Sequence, residues 1–455
     1  MRVLALDVGT SSVRARVFDE RGRPLHGVEA QTRYELTHGH GGRAEFDADH
    51  LVEATRAALD EARREAGGDI AAVGAACFWH SLVPVDSSGG AAGPLLTWRD
   101  TRSAGAADGL VARLDGEAVH ARTGCVLHPS YWPAKLAWLA ETDPDLFRGA
   151  ARFLSFADYL YLRLAGETRT SLSMASGTGL LDVNGGVWDE ELLQVLGIEP
   201  DRLPVISDEP VGSEQPWFPA LGDGACSNVG AGCVTRERAA LMIGTSAAYR
   251  TAFPAEAAAP RPHLFLYRLD SGRFVEGGSL SDGGNLYAWL AKTLRLPAAP
   301  RLDEADPDGH GLTFLALLGG ERSPGWNARA RGAVAGLSFD TTPADLLQAA
   351  LEGVAYRVAE IADLMPEIRE VVATGAALLA DHPWIRILAD VLERPIAASA
   401  VEEGSLHGAA IVTLERLGAT PDPAPVAEMV EPRPDRFEAY RGARERARSL
   451  YAAVT

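Results

Sequence analysis

The start of the chain shows hydrophobic patterns typical of β-strands. Residues 2–8 form an almost continuous apolar run, which predicts a buried strand. Between residues 13 and 18 apolar and polar residues alternate, which predicts a half-exposed strand with Arg14 and Arg16 on its polar face. Residues 19–24 have the composition of a turn that leads into a third strand.

Helical and strand-like patterns alternate in the next segment. Apolar residues recur at helical spacing over residues 48–66, and Asp47 or Asp49 can cap the start of this helix. Residues 70–78 again predict a buried strand, and residues 81–90 predict a strand closed by a Ser/Gly turn. Strands that alternate with helices indicate an α/β fold.

A weak internal repeat suggests two similar halves. Residues 5–11 and 241–246 both form an apolar strand that ends in Gly-Thr-Ser. Each is followed by a second strand with an arginine, Arg14 or Arg250. Gly-Thr-Ser is also a common turn, so coincidence is the alternative. A duplication would place two α/β domains on either side of a cleft.

Composition narrows the classes of partner. The 455 residues have a formal net charge of −19 and a pI near 5.1. Binding to a phosphate backbone needs clustered Lys and Arg, so this balance argues against a nucleic-acid partner. It also means that any anionic substrate needs a local positive pocket.

The chain has no apolar run near the roughly 18 residues that a membrane span requires. The first apolar stretch is short and contains Asp7, unlike a signal peptide. We therefore expect a cytoplasmic protein without a membrane partner.

Lysine and cysteine usage exclude further classes. Lys135 and Lys292 are the only lysines, and neither follows a glycine-rich loop. This excludes a P-loop and the protein-kinase pattern, since both need a lysine in a fixed motif. The four cysteines have no CxxC spacing, so we expect reduced and mostly buried thiols.

Two Gly-Thr-Ser turns could hold phosphate groups. The turn at residues 9–12 can present N–H groups and hydroxyls to an anion, and the turn at residues 244–246 can do the same. Together they could clamp a triphosphate from opposite sides. Asp7, just before the first turn, could bind Mg²⁺ through water. For either turn alone, a plain tight turn is the simpler interpretation.

Asp223 is the candidate catalytic carboxylate. It lies between Gly222 and Gly224 at the predicted start of a helix, so it could be a simple N-cap. It could also act as a general base, because a sugar hydroxyl needs a proton acceptor when it attacks a phosphoryl group. The flanking glycines would leave room for a substrate.

Six motifs in order along the whole chain resemble the FGGY family of carbohydrate kinases. They are DVGTSSVR (7–14), GDGACSNVGAG (222–232), ALMIGTSAAYR (240–250), GERSPGWNARARGAVAGL (320–337), ALEGVAYR (350–357) and EEGSLHGAA (402–410). The resemblance implies two actin-like, ribonuclease-H-like domains around a catalytic cleft. We expect an N-terminal domain over residues 1–234 and a C-terminal domain over residues 235–455.

The resemblance also implies ATP and Mg²⁺ as cofactors and Asp223 as the catalytic base. Mg²⁺ is expected at Asp7, through water, and at Asp223. The residues expected to bind the nucleotide are Asp7, Gly9, Thr10, Ser11, Ser12, Arg14, Gly244, Thr245, Ser246, Gly375 and Ala376.

Within the family the chain resembles gluconate kinases most. The stretches that support this are 79–86, 96–102, 123–139, 173–183 and 275–290. The residues expected to bind the sugar are His80, Ser81, Trp98, Arg99, Asp100, Arg102 and His128. A carboxylate on the substrate would need donors from among His80, Arg99, Arg102, His128 and Lys135. Structural roles, such as a surface Arg–Asp pair or a core histidine, remain the alternative for each.

The expected reaction is ATP-dependent phosphorylation of the terminal hydroxyl of an open-chain sugar acid, D-gluconate to 6-phospho-D-gluconate. The alternatives are a kinase for xylulose, another ketose or a polyol, an actin-like ATPase, and a catalytically silent sugar-binding relative. The sequence leaves the oligomeric state open, a homodimer included.

Three positions depart from the family pattern. Ala376 replaces the second of two glycines, which is tolerated if its backbone φ stays negative. Asp381 replaces a serine and adds a carboxylate near the phosphates. Trp79 is larger than the usual residue and could narrow the sugar pocket.

Overall fold

The computed structural model describes the whole chain except residues 213–214, 297–301, 303–304 and 381. Asp381, which was expected to add a carboxylate near the phosphates, therefore lies outside the described residues. Among the described residues, no helix combines the length and the apolar character needed to cross a bilayer.

The first half is built on a five-stranded sheet whose order is β5-β4-β1-β2-β3. Strands β1, β2 and β3 form antiparallel hairpins, and β4 and β5 continue the sheet in parallel to β1. The strands are β1 (Arg2–Val8), β2 (Ser12–Asp19), β3 (Pro24–Arg33), β4 (Ala72–Cys77) and β5 (Leu221–Gly222).

The second half repeats this arrangement in a seven-stranded sheet whose order is β8-β9-β7-β6-β10-β11-β12. Strands β6, β7 and β9 are antiparallel, and β10 and β11 continue in parallel to β6, as in the first sheet. The matching topology supports the internal duplication. The strands are β6 (Arg238–Ile243), β7 (Ala247–Pro254), β8 (Phe265–Arg268), β9 (Arg273–Leu280), β10 (Glu370–Thr374), β11 (Ile396–Ser399) and β12 (Val426–Val430).

The helices that matter for the site are α1 (Ala48–Ala66), α2 (Asp223–Gly230), α3 (Gly284–Thr293), α4 (Pro343–Asp363), α5 (Ala376–Leu379), α6 (Gly404–Arg416) and α7 (Phe437–Val454). Helix α1 packs on the first sheet and α4 on the second. The remaining α-helices are Ala104–Val111, Gly116–Thr123, Trp132–Thr142, Pro144–Gly149, Phe156–Ala165, Leu172–Ser176, Glu190–Leu196 and His382–Leu392.

Short strands form small sheets outside the two main ones. They are Thr37–His38 with Ala44–Phe46 and Leu95–Leu96, Val83–Val85 with Arg152–Leu154, Arg169–Thr170 with Val205–Ile206, Leu181–Asp182 with Val187–Trp188, and Thr313–Leu315 with Ala333–Ala335. Single turns of 3₁₀ helix occupy His40–Gly42, Pro200–Arg202 and Pro434–Arg436.

Local sequence patterns predict the first elements well. The helix predicted over residues 48–66 has those bounds, and the Asp47 side chain accepts the His50 N–H as its cap. Within residues 81–90 the predicted strand is Val83–Val85, and the predicted Ser/Gly turn closes it. The Asp86 carboxylate holds this turn by accepting the Ser88 and Gly90 N–H groups. All four cysteines are buried and free, as expected.

Helix α6 belongs to the second half of the sequence but packs on the first sheet. It lies against β1, β4 and α2, and its apolar residues are part of the first hydrophobic core. The C-terminal domain predicted over residues 235–455 therefore includes a helix, α6, that packs on the N-terminal domain. The boundary between residues 234 and 235 itself stays a prediction.

Glycines allow α2 and α6 to cross with their backbones in contact. A Cβ atom at Gly408 would collide with the carbonyl oxygen of Cys226, and one at Gly230 would collide with that of Gly404. On the other side of α6, a Cβ at Gly74 would collide with the Thr413 hydroxyl. Only hydrogen fits at these positions, so side-chain size there sets the distance between the helices.

We predict that Gly408→Ala destabilises the protein by about 1–3 kcal/mol, the usual cost of an overpacked core. The measurement is the urea midpoint of unfolding. Gly442→Ala in the exposed part of α7 is the matched control. It should be neutral or stabilise by up to about 1 kcal/mol, because alanine favours helix more than glycine does. Equal midpoints for both variants would contradict the close crossing.

Candidate active site

A cavity of about 600 Å³ lies between the two halves. Both Gly-Thr-Ser hairpins contribute to its wall, together with the ends of β10 and the start of α6. Its lining includes Asp7, Ser11, Arg14, Asp223, Gly244, Thr245, Arg250, Thr374, Gly375, Ala376, Glu403 and Gly404. We call it the nucleotide-side cavity.

Each hairpin is closed by a backbone hydrogen bond from its glycine, over a loop of four residues in the first and three in the second. The Gly9 N–H donates to the Ser12 carbonyl at 3.0 Å, and the Gly244 N–H donates to the Ser246 carbonyl at 3.0 Å. Of the residues expected to bind nucleotide, Gly9, Thr10, Ser12 and Ser246 lie outside the lining of this cavity. Ser12 is the first residue of β2 and is buried.

Ala376, one of the three positions that depart from the family pattern, is compatible with the backbone at this site. Gly375 has φ +91°, and a Cβ there would collide with the Ile243 carbonyl, so this position requires glycine. Ala376 is the first residue of α5 and does not have a positive φ. Its methyl group is therefore accommodated, as the sequence analysis required.

An ion pair joins the halves beside this cavity. Arg14 on β2 contacts Glu403 with 3.2 Å between Nη1 and Oε2. Glu403 precedes α6, so the pair connects the first hairpin to the helix that crosses from the second half.

Asp223 is the first residue of α2 and not its cap, since Gly222 occupies the cap position. Its Oδ1 accepts the Gly224 N–H at 2.7 Å. Burial raises the pKa of Asp223, and the nearby cations Arg250 and Arg322 oppose that rise. The carboxyl is therefore a better proton acceptor than an exposed aspartate.

Two smaller cavities continue from Asp223 on the other side. The inner one, about 60 Å³, is lined by Asp223 and Arg250 together with Trp79, His80, Trp98, Ser246, Tyr267 and Arg322. The outer one, about 40 Å³, is lined by Trp98, Arg99, Thr101, His128, Ser130, Glu321 and Arg322. We call them the inner and outer sugar-side cavities. Ser246, expected at the phosphates, faces the inner one.

The two histidines face these cavities as neutral groups. Burial and the Arg322 cation hold the pKa of His80 well below its usual range. Burial also lowers the pKa of His128, to about 3. The His80 Nδ1–H donates to the Gly177 carbonyl, which leaves Nε2 as an acceptor facing Arg322. Both were expected as hydrogen-bond donors to a substrate carboxylate. As neutral rings they add no positive charge, and their contact with the substrate stays a prediction.

Four expected substrate contacts lie behind the cavity walls. The Ser81 hydroxyl accepts the Phe156 N–H. Asp100 and Arg102 pair with each other, and Arg102 also pairs with Glu45. The Lys135 ammonium donates to the carbonyls of His80 and Ser130. These side chains are engaged internally and line none of the three cavities, so they support the wall.

Two arginines that are not among the predicted site residues occupy the site. Arg250 and Arg322 are both at least nine-tenths buried, and each has a guanidinium nitrogen without a hydrogen-bond partner. Arg250 was visible only as part of the internal repeat. Arg322 lies within the GERSPGW motif and stacks on the Trp98 ring, 5.4 Å from its centroid. Trp79 forms part of the inner wall, and its narrowing of the pocket relative to other family members stays a prediction.

Comparisons with known proteins agree with this arrangement. The model of the N-terminal domain of the FGGY family of carbohydrate kinases matches residues 2–214, and that of the C-terminal domain matches residues 239–414. A gluconokinase from Bacillus subtilis is 28% identical, over 94% of this chain and 90% of the relative. A xylulose kinase from Escherichia coli is 29% identical, over 98% of each chain.

The solved structure of a gluconate kinase from Lactobacillus acidophilus superposes with a TM-score of 0.89 at 25% identity. It covers 99% of this chain and 98% of that one. Both halves match along nearly their whole length, and the two-domain kinase fold is shared. The chain belongs to the FGGY family of carbohydrate kinases, enzymes that transfer a phosphoryl group.

Proposed function

We propose that this kinase phosphorylates the terminal hydroxyl of D-gluconate at the expense of ATP, giving 6-phospho-D-gluconate. The observation that supports it best is the position of Asp223. Among the described residues, Asp223 is the carboxylate that lines both the nucleotide-side and the inner sugar-side cavity. A hydroxyl in one cavity and a phosphoryl donor in the other would meet at this group.

Asp223 acts as the general base in this proposal. A sugar hydroxyl is a weak nucleophile until an acceptor within hydrogen-bond reach takes its proton. Burial raises the pKa of Asp223, which strengthens it as an acceptor. The remaining catalysis is positioning and electrostatic stabilisation, as in phosphoryl transfer generally.

The nucleotide-side cavity fits a triphosphate. Ser11, Gly244 and Thr245 face it from the two hairpins and would contact the phosphates. Gly375 and Ala376 would lie against the adenosine. The Thr374 hydroxyl on this wall is buried and has no hydrogen-bond partner in the structure, which suits a polar ligand.

Asp7 and Asp223 would hold Mg²⁺, Asp7 through water. Burial, the neighbouring Asp223 and Glu403 raise the pKa of Asp7 to about 7, against the lowering effect of Arg14. Two neighbouring carboxylates repel each other when both are ionised, and a bound cation relieves this repulsion. When bound, the ion would neutralise charge on the phosphates.

The preference for an acid rests on the outer cavity. Both histidines are neutral, so Arg99 and Arg322 supply the positive charge there. Glu321 on the same wall is already paired with Arg357 and with the Tyr451 hydroxyl. A substrate that places its terminal hydroxyl at Asp223 would place a carboxylate at its other end near these guanidinium groups.

Substrate entry requires the cleft to open. The two sugar-side cavities, about 60 and 40 Å³, are smaller than an open-chain six-carbon acid. Residues 319–329 contribute to the wall of the outer cavity and connect the halves. Arg329 pairs with Asp108, and His128 is hydrogen-bonded to the Glu321 carbonyl. Closure over bound sugar would exclude water and limit wasteful ATP hydrolysis.

A xylulose kinase is the second candidate, because the relative from Escherichia coli is as similar as the gluconokinase. A coupled ATP-consumption assay over gluconate, gluconamide, xylulose, glycerol and no sugar separates them, with the product identified by mass. We expect gluconate to be preferred over its neutral amide by about 10–100-fold, the worth of one charge-assisted hydrogen bond. Arg99→Met should remove most of this preference.

If a neutral ketose stimulates ATP consumption and gluconate does not, the acid assignment fails. If ATP is hydrolysed at the same rate without any sugar, the sugar-kinase assignment fails as well. Retained preference for gluconate over gluconamide in Arg99→Met would exclude Arg99 as a contact to the carboxylate.

We predict that Asp223→Asn lowers kcat by about 10²–10⁴, the usual loss for a removed acid–base group. The amide keeps an oxygen that can accept the Gly224 N–H, so folding and KM should change little. Asp208→Asn, which alters another half-buried carboxylate outside the three cavities, should keep near-normal turnover. Near-normal turnover in Asp223→Asn would exclude it from the mechanism.

We predict that Asp7→Asn stabilises the metal-free protein at neutral pH. The pKa of Asp7 is about 7 when folded, against 3.8 as its ordinary value. The native state keeps this proton between these pH values while the unfolded chain has released it, so wild-type stability falls as pH rises through this window. Below pH 3.8 this loss is absent, and above pH 7 it is complete.

The variant cannot ionise and escapes this loss. Its advantage over the wild type in free energy of unfolding should grow from near zero at pH 4 to at most about 4 kcal/mol at pH 7. Urea unfolding in the presence of EDTA measures it, with Asp60→Asn on the exposed side of α1 as the control for removing a charge. A pH-independent difference would contradict the burial of an ionisable Asp7.

A further inference from the structure

Arg250 is a buried cation at the point where the cavities meet. It lies on β7, only 5% of it is exposed, and it lines both the nucleotide-side and the inner sugar-side cavity. Among the described residues the structure gives it no ion-pair partner. The hydrogen bond of its guanidinium is to Asn228, whose side-chain oxygen accepts the Arg250 Nε–H at 3.1 Å.

The position of this guanidinium is fixed from several sides. Asn228 also donates to the Arg250 carbonyl at 2.9 Å, so one amide holds both the backbone and the side chain. A Cβ at Gly224 would collide with Arg250 Nη1 and with the Trp79 ring, so the guanidinium lies against the first turn of α2. Asp223 begins that turn. Arg250 and Asp223 are therefore held in a constant relation to each other.

One nitrogen of this group, Nη2, is buried and has no hydrogen-bond partner. A buried guanidinium nitrogen that lacks an acceptor is costly, and an anionic ligand would supply that acceptor. The substrate carboxylate is not that ligand if the terminal hydroxyl lies at Asp223, because the carboxylate is then at the opposite end. The negative group that passes between the two cavities is the phosphoryl group.

We propose that Arg250 is a catalytic residue that donates a hydrogen bond from Nη2 to the phosphoryl group during its transfer. This inference rests on the proposed function of Asp223. The sugar oxygen forms a bond to the γ-phosphorus, and the bond from that phosphorus to the β,γ-bridging oxygen breaks. The bridging oxygen keeps the electron pair on ADP, and the hydroxyl proton goes to Asp223. Arg250 gains and loses no proton.

The role explains why an arginine is needed. Charge in the transition state spreads over the equatorial phosphoryl oxygens, and a fixed guanidinium can stabilise it without rearranging. A lysine has the charge but lacks the planar fork that lets Arg250 bind Asn228 with Nε and still present Nη2.

The test uses Arg250→Met and Arg250→Lys, assayed with the sugar that the wild type phosphorylates best. We expect Arg250→Met to lower kcat by about 10³ or more, within the range for arginines that contact transferring phosphoryl groups. KM for sugar and for ATP should stay within about threefold, because the contact forms in the transition state. Arg250→Lys should retain the fold and lose at least about tenfold in kcat.

Arg268→Met is the matched control. Arg268 is equally buried on β8 of the same sheet, but its guanidinium donates to the carbonyls of Val183 and Asn184 and lines none of the three cavities. Its loss should lower stability and leave kcat of the folded fraction within about threefold of the wild type.

A second measurement separates catalysis from structure. Calorimetry should show ADP binding to Arg250→Met and Arg250→Lys as to the wild type, but weaker binding of the complex of ADP, aluminium fluoride and sugar, which imitates the transferring group. A kcat within about fivefold of the wild type in either variant overturns the proposal. Unchanged binding of the aluminium fluoride complex also overturns it.

The role of Arg250 and the assignment of gluconate as substrate can be tested separately. If gluconate is inactive but another sugar is phosphorylated, the substrate assignment falls and the Arg250 test proceeds with that sugar. If Arg250→Met does not fold, Arg250→Lys decides the outcome by the same two measurements.

Discussion

The crossing of α2 and α6 is the constraint on which the site depends. Glycines at this crossing let two backbones touch, and each helix begins at a cavity wall. Helix α2 begins with Asp223 and braces Arg250 through Asn228. Helix α6 begins beside Glu403, which pairs with Arg14. One helix crossing therefore positions a carboxylate, a cation and an ion pair that come from different parts of the chain.

The two sugar-side cavities are lined by more arginines than carboxylates in a protein that is acidic overall. The net charge is −19, yet Arg250, Arg322 and Arg99 line the path from the nucleotide side to the outer cavity. Such a path attracts anions that the outer surface repels on average. The arrangement suits a kinase in which both the phosphoryl donor and, in our proposal, the acceptor are anionic.

Local sequence patterns are sufficient to predict individual strands, helices and turns. The strand over residues 2–8, the helix over residues 48–66 and the repeated hairpins follow from hydrophobic periodicity and turn residues. The role of Lys135 could not be predicted, since its burial against the carbonyls of His80 and Ser130 depends on tertiary packing. The neutral state of His128 has the same origin, because desolvation acts only in the folded protein. Arg250 was missed because its partners lie on the opposite half.

The scarcity of lysine has a practical consequence. Lys135 is 1% exposed and its ammonium is held by two carbonyl groups, whereas Lys292 is exposed on α3. The first turn of that helix, at Gly284 and Asn285, lines the nucleotide-side cavity. Apart from the terminal amine, an amine-directed fluorophore would therefore attach at a single place, on a helix whose first turn lines the cavity that receives the nucleotide in our proposal.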